Sequence, residues 1–307
     1  MAEQKQFHYG GQAVIEGVMI RGRKYLVTAL RKPDGTVSVD KQPLPSLYTG
    51  KLRAMPLFRG IIVLIEALVL GMKMLLYSAN EALEEEGEKV SGGWMWLMLI
   101  VSLAFAVALF FLAPLFLTKL LTDSFNIQGG FLFNLIDGLI RLAIFILYLW
   151  LVSLMPDIKR VFAYHGAEHK TVNGYEAGVP LEPESLKKFS KAHVRCGGSF
   201  LFVVLIIAII VFSIVGKPDL WLLVLSRVLL LPVISALGYE VIYFGARHTS
   251  NIFVKIILAP GMWVQSFTTR EPDNSQLEVA IAAMKAAVEA DNPPLITQNK
   301  SPAGSTI

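Results

Sequence analysis

From Trp94 to Thr118 the chain is almost uninterrupted apolar sequence. At ~1.5 Å of rise per residue, a helix of that length crosses a hydrocarbon core of roughly 30 Å. No other feature constrains the fold as strongly, because such a stretch commits the chain to a helix of bilayer length. The pattern recurs from Phe131 to Met155, from Ser199 to Val215 and from Leu220 to about Tyr243. With 54% hydrophobic and only 17% charged residues, the expected class is a mainly α integral membrane protein with about four transmembrane helices.

Charge placement sets the expected topology. Arg21, Arg23, Lys24, Arg31, Lys32, Lys51, Arg53 and Arg59 precede the first span. Lys159, Arg160, Lys170, Lys187, Lys188, Lys191 and Arg195 lie between the second and third. The loops on the other side carry little charge, so both termini are expected to be cytoplasmic, with the lipid bilayer as the main partner. The polar run Glu3-Gln4-Lys5-Gln6 has no signal-peptide character, and a lone cysteine excludes an intramolecular disulfide framework. Within the second span Asp137 and Arg141 are spaced to pair on one helix face, which lowers the cost of burying either. Gly216-Lys217-Pro218-Asp219 is a turn that makes spans three and four a hairpin.

Other segments read as peripheral. Gly60 to Tyr77 is apolar but contains Glu66 and Lys73, which suits an interfacial helix better than a span. Phe253 to Phe267, broken by Pro260-Gly261 and carrying Trp263, is also expected at the boundary. Tyr25 to Lys32 and Thr36 to Gln42 flank Pro33-Asp34-Gly35, the signature of a small N-terminal β unit. After Glu271-Pro272, Asp273 or Asn274 caps an amphipathic helix carrying Leu277, Ala280, Ile281 and Met284. The expected layout is an N-terminal cytosolic β unit (1–59), an interfacial helix and acidic hinge (60–92) and transmembrane helices one and two (93–155). A cytosolic His/Cys metal-site loop (156–198), transmembrane helices three and four (199–245), an interfacial segment with a cytosolic amphipathic helix (246–292) and a disordered tail (293–307) follow.

Chemistry concentrates in the loop between spans two and three. It holds Tyr164-His165-Gly166-Ala167-Glu168-His169, then His193 and Cys196, so three of five histidines and the sole cysteine gather there. His165 and His169 on one helix face, a turn apart, have the spacing by which two imidazoles share a zinc-like divalent ion. Glu168 beside them suits a general base that stays outside the ligand shell. Completion of the shell has four candidates: Glu176, if Asn173-Gly174 breaks the helix; His193 and Cys196; and Glu240, near the cytoplasmic end of span four. The alternative for Glu240 is a salt bridge to Arg247. A closed His/His/His/Cys set would be structural, whereas three ligands with Glu168 free would be hydrolytic. Gly10-Gly11-Gln12-Ala13-Val14-Ile15-Glu16-Gly17 lacks the ending of a phosphate-binding loop and argues against nucleotide binding. Gln12, Glu16 and Arg21 are candidate positioning groups, and Glu81 to Glu88 reads as a solvated acidic hinge. The net charge of +4 follows from inside-positive loops and calls for no nucleic acid partner.

Four motifs in order carry a wider resemblance: Gly11-Gln12-Ala13-Val14-Ile15-Glu16-Gly17-Val18-Met19-Ile20-Arg21-Gly22, Tyr164 to Lys170, His193-Val194-Arg195-Cys196-Gly197, and Thr268-Thr269-Arg270-Glu271-Pro272. Across nearly its whole length the chain resembles the YqhQ-like family of bacterial membrane proteins, a domain of unknown function described as a predicted metal-dependent enzyme. The resemblance implies a multi-pass protein of the bacterial inner (plasma) membrane and a metal site on His165, His169, His193 and Cys196. It supplies no substrate. Two functions are therefore expected to compete: a zinc-dependent membrane hydrolase of a peptide or lipid substrate, with Glu168 as base, and a non-enzymatic scaffold or assembly factor with a structural metal site. Scarce paired polar groups deep in the spans weigh against a transporter.

Overall fold

The computed structural model describes residues 7–83, 92–216 and 219–292. The tail beyond Asn292, most of the acidic hinge and Lys217-Pro218 of the expected turn lie outside them. Strands β1 (Gly10–Val14), β2 (Gly17–Arg21), β3 (Tyr25–Arg31) and β4 (Val37–Pro43) form one antiparallel sheet in sequential order. The expected hairpin around Pro33-Asp34-Gly35 pairs β3 with β4. The glycine-rich stretch before it is itself a hairpin, with Glu16 turning at a φ of 54°. Two glycines in β1 hide its strand character, since they contribute neither β propensity nor an apolar face.

Helices α1 (Ser46–Thr49), α2 (Phe58–Leu83), α3 (Gly92–Val107), α4 (Ala113–Ser124) and α5 (Gly130–Val152) follow. A π-helical turn over Ala108–Leu112 joins α3 to α4. Then come α6 (Pro156–Glu176), the short α7 (Pro183–Leu186), α8 (Gly197–Val215), α9 (Leu220–Arg247), α10 (Ile252–Thr268) and α11 (Asn274–Asp291). Among the described residues five helices are long and apolar enough to cross a membrane, against the four expected. The additional one is α2, which continues well past Tyr77. The two charges that weigh against a span are partnered: Glu66 takes Arg21 and Arg53, and Lys73 donates to Gln42 Oε1 at 2.8 Å. The Asp137–Arg141 pair forms as expected, at 2.9 Å.

The sheet explains why β3 is apolar at nearly every position rather than at alternate ones. Both its faces are covered. Ala13, Val18, Ile20, Val27 and Ala29 pack with Tyr164 and Ala167 of α6 and with Leu277, Ala280 and Met284 of α11. Val14, Met19, Leu26 and Leu30 pack on Ile62, Leu70 and Met74 of α2. Fully buried Leu277 and Met284 each contribute about 1.5–3 kcal/mol to this core. The apolar helices present a different surface: only 6% of the window in the Trp96–Ser124 segment is buried, so its apolar face is outward, as lipid requires.

Candidate metal centre

Helix α6 starts a new axis after α5 rather than prolonging it. Ser153 to Met155 break the path, and Pro156 occupies the first turn, where its missing N–H costs nothing. The offset swings His165 and His169 toward the start of α8. Their ring centroids lie 4.4 Å apart. Cys196 is the N-cap of α8, with its Sγ accepting from Gly198 N at 3.3 Å.

Ligand atoms of His165, His169 and Cys196 all lie within 4.8 Å of one another. His165 Nε2 is 3.4 Å from Cys196 Sγ. The other nitrogen of each ring is committed: His165 Nδ1 meets the Thr268 carbonyl at 2.8 Å and His169 Nδ1 the Lys191 carbonyl at 2.7 Å. A carbonyl only accepts, so each Nδ1 is the donor, and in the neutral ring each Nε2 carries the lone pair that a cation would use. The Gly198 amide and the amino end of α8 direct partial positive charge at Sγ. A borderline divalent cation such as zinc fits this N, N, S donor set, and the backbone carbonyls act as its outer support.

Several buried groups hold the arrangement. Gly166 has no side chain because a Cβ there would stand 2.0 Å from the Arg270 carbonyl. That close approach lets Arg270 N donate to the Phe162 carbonyl at 2.8 Å and brings Thr268 over His165. Gln265, fully buried in α10, accepts from His193 N and donates to the His193 carbonyl, each at 2.9 Å. Asn173 Nδ2 donates to the carbonyls of Ser190 and Ala192. Buried Lys170 donates to the Lys187 carbonyl and pairs with Glu271 at 2.5 Å. Thr268 Oγ1 is buried without a hydrogen-bond partner among the described residues and lies 3.8 Å from where a Cβ on Gly198 would sit.

Glu168 is buried, with its Oε2 3.5 Å from His169 Nε2, yet it is outside the mutually close ligand set. A Cβ on Gly11 would be 2.9 Å from its Cγ, so the glycine-rich hairpin leaves its room. The remaining sequence candidates sit apart from the three-atom cluster. His193 has its ring centroid 5.8 Å from that of His169, but its Nε2 is 3.7 Å from Glu176 and 3.4 Å from Arg195. Burial raises the Glu176 pKa, but His193, Arg195 and His8 outweigh it and hold the carboxyl at about 2. Glu240 pairs with Arg59 and accepts from Leu57 N at 3.0 Å, while Arg247 stacks over Tyr243 instead. Glu16 is bound by Arg160 and by Tyr164 Oη, Arg21 by Glu66, and Gln12 lies against Gly71. In the sequence Gln265 has no assigned role, Asn173 is marked only as a possible helix break, which the unbroken α6 does not make, and Thr268 stands only as part of a motif. A glutamine inside an otherwise apolar helix was the available signal for the first.

The family described as "Protein of unknown function (DUF1385)" matches residues 55–290. The chain is 37% identical over 315 aligned residues to "Uncharacterized protein YqhQ" of Bacillus subtilis (strain 168), covering 97% of each chain. No solved structure matches. With the match running from the sheet's connection to α2 through to the last turn of α11, the chain belongs to the DUF1385 family.

Proposed function

We propose that the protein holds a zinc-like divalent cation on His165, His169 and Cys196 at the cytoplasmic boundary of the membrane and acts as a metal-dependent hydrolase on a peptide or lipid substrate. The observation that carries this is the number of converging donors. Three ligand atoms gather and His193 is engaged elsewhere, which leaves a tetrahedral cation one position for a reactant. When bound, such a cation polarises a carbonyl or ester oxygen and acidifies water. Glu168, buried beside His169, takes the proton from the attacking water and returns it to the leaving group. His165 and His169 keep their orientation through the Thr268 and Lys191 carbonyls. A structural staple is the second function to weigh, because His169 and Cys196 are almost wholly buried and tie α6 to the start of α8.

The packing also supports four crossings rather than five. The sheet, α6 and α11 share one apolar core and so lie on one side of the bilayer. An even number of crossings must then separate β4 from α6, and another even number α6 from α11. The α3–α4 segment and α5 supply the first pair, and α8 and α9 the second. That leaves α2 as an interfacial helix, bedded on the sheet through Ile62, Leu70 and Met74, with Leu68 and Val69 toward lipid. The lysine and arginine excess assigns the sheet's side to the cytoplasm, with both termini.

Elemental analysis of the full-length protein tests the cation. Stoichiometric zinc-like metal is expected in the wild type and none in His165→Ala. A metal-free wild type, or an unchanged His165→Ala, removes the proposal. Glu168→Gln is expected to retain metal and fail to complement loss of the gene. Complementation by that variant, together with joint loss of metal and folding in Cys196→Ser, would favour the staple.

A further inference from the structure

A second polar cluster is buried among the apolar helices. Asp137 Oδ2 accepts from Arg141 Nη2 at 2.9 Å and, across to α9, from Arg227 Nη1 at 3.1 Å. Arg227 Nη2 donates to Asn134 Oδ1 at 3.2 Å, and Asn134 Nδ2 donates to the Gly216 carbonyl at 2.6 Å. These contacts lie where α5 starts and α8 ends. The histidines and Cys196 belong to the opposite end, where α5 gives way to α6 and α8 starts.

Two guanidiniums thus share one carboxylate, and no other carboxylate is bonded to either among the described residues. One positive charge is left over in apolar surroundings, where an uncompensated charge is costly. Aromatic rings cover the guanidinium faces: Phe111 lies 5.3 Å from Arg141 Cζ and Phe212 5.1 Å from Arg227 Cζ. The in-plane N–H edges are what remain. Arg141 uses one donor and Arg227 two among the described residues, and Arg141 Nε is buried without an acceptor. Asp137 is 4% exposed at its side chain, and its Oδ1 has no donor among the described residues. The arginine side chains, at 13% and 12% exposure, still reach the surface of the bundle.

We infer that this end of the bundle binds a phosphate-bearing ligand through Arg141 and Arg227. A phosphate accepts in-plane, bidentate N–H bonds from guanidinium edges and cancels the surplus charge. Asp137 Oδ1 accepts from a hydroxyl or ammonium of the same ligand. The phosphate comes from a phospholipid headgroup or from soluble inorganic phosphate.

Full-length protein washed free of lipid in detergent is titrated with phosphatidylethanolamine, phosphatidylglycerol or inorganic phosphate while its melting temperature is followed. Stabilisation by a phospholipid alone assigns the headgroup as source, and stabilisation by inorganic phosphate assigns the soluble ion. Arg227→Gln, which removes the surplus charge but keeps the Asp137–Arg141 pair, is expected to weaken binding at least about tenfold. Asp137→Asn frees both guanidiniums and is expected to bind as tightly as the wild type or tighter. Circular dichroism reports folding, and if Arg227→Gln is unfolded, Arg227→Lys, which lacks the planar fork, takes its place with weaker binding expected. The site is overturned if no phosphate stabilises the wild type, if the folded Arg227 variant binds like the wild type, or if the Arg227 and Asp137 variants weaken binding alike.

Discussion

Among the described residues two places set one carboxylate between two arginines, and they are completed differently. At the junction of α2 with the sheet, Glu66 gives one oxygen to Arg21 and the other to Arg53, and Arg21 also donates to the Tyr48 carbonyl at 2.7 Å. Inside the helices, Asp137 gives a single oxygen to both Arg141 and Arg227 and leaves the other bare. Each triad joins one carboxylate to two guanidiniums. A triad with both oxygens used, where the sheet meets α2, is a finished structural joint. One with an idle oxygen and idle N–H edges, surrounded by apolar helices, has capacity for a ligand. Completion, more than composition, separates a brace from a binding site.

That contrast is open to direct tests by substitution. Glu66→Gln leaves the part-buried Arg21 and Arg53 without a counter-charge and is expected to destabilise by about 3 kcal/mol in chemical unfolding. Asp137→Asn in lipid-replete protein is expected to cost only ~2 kcal/mol or less, with the gap narrowing once lipid is stripped. Equal costs in the presence of lipid would erase the distinction. Gly166→Ala lies outside both triads but within the frame of the proposed metal centre. Its Cβ meets the Arg270 carbonyl, so a loss of ~3 kcal/mol and a fall in bound metal are expected together. Loss of stability with full metal content would show that Thr268 does not govern His165.

Asp273→Ala is the smallest effect, about 1 kcal/mol, through loss of the α11 cap. Burial tends to raise the Asp273 pKa, but bonds from Gln276 N and from Ser275 hold it below the model-compound value of 3.8. A depressed carboxylate pKa stabilises the fold above its unfolded value and ceases to do so as pH falls through the folded one. Unfolding followed below pH ~4 is expected to show that loss in the wild type and to show it diminished in the variant.

Legibility in the sequence tracked the range of the interaction. Apolar length disclosed α3 to α5, α8 and α9, and His165 and His169 at one-turn spacing disclosed their shared face. Cys196 was visible as a nearby soft ligand. His193, equally near in sequence, is drawn off by Glu176 and Arg195, and spacing carries no record of that competition. Glu240 failed to join the cluster for the same reason, since Arg59 is far away in sequence. Glu66 makes α2 look costly as a span, because its partners Arg21 and Arg53 lie on other segments.

The amino-acid sequence by itself determined the bilayer-length helices, the β3–β4 hairpin, the capped α11 and the helical pairing of His165 with His169. Each rests on apolar periodicity, turn chemistry or one-turn spacing, all of which act within a few residues. Only the tertiary structure decided that Cys196 joins the histidines while His193 does not, that Gly166 admits the Thr268–Pro272 segment, and that Arg227 reaches Asp137. Those outcomes depend on which buried charges and donors find one another between distant segments, and packing alone settles that competition.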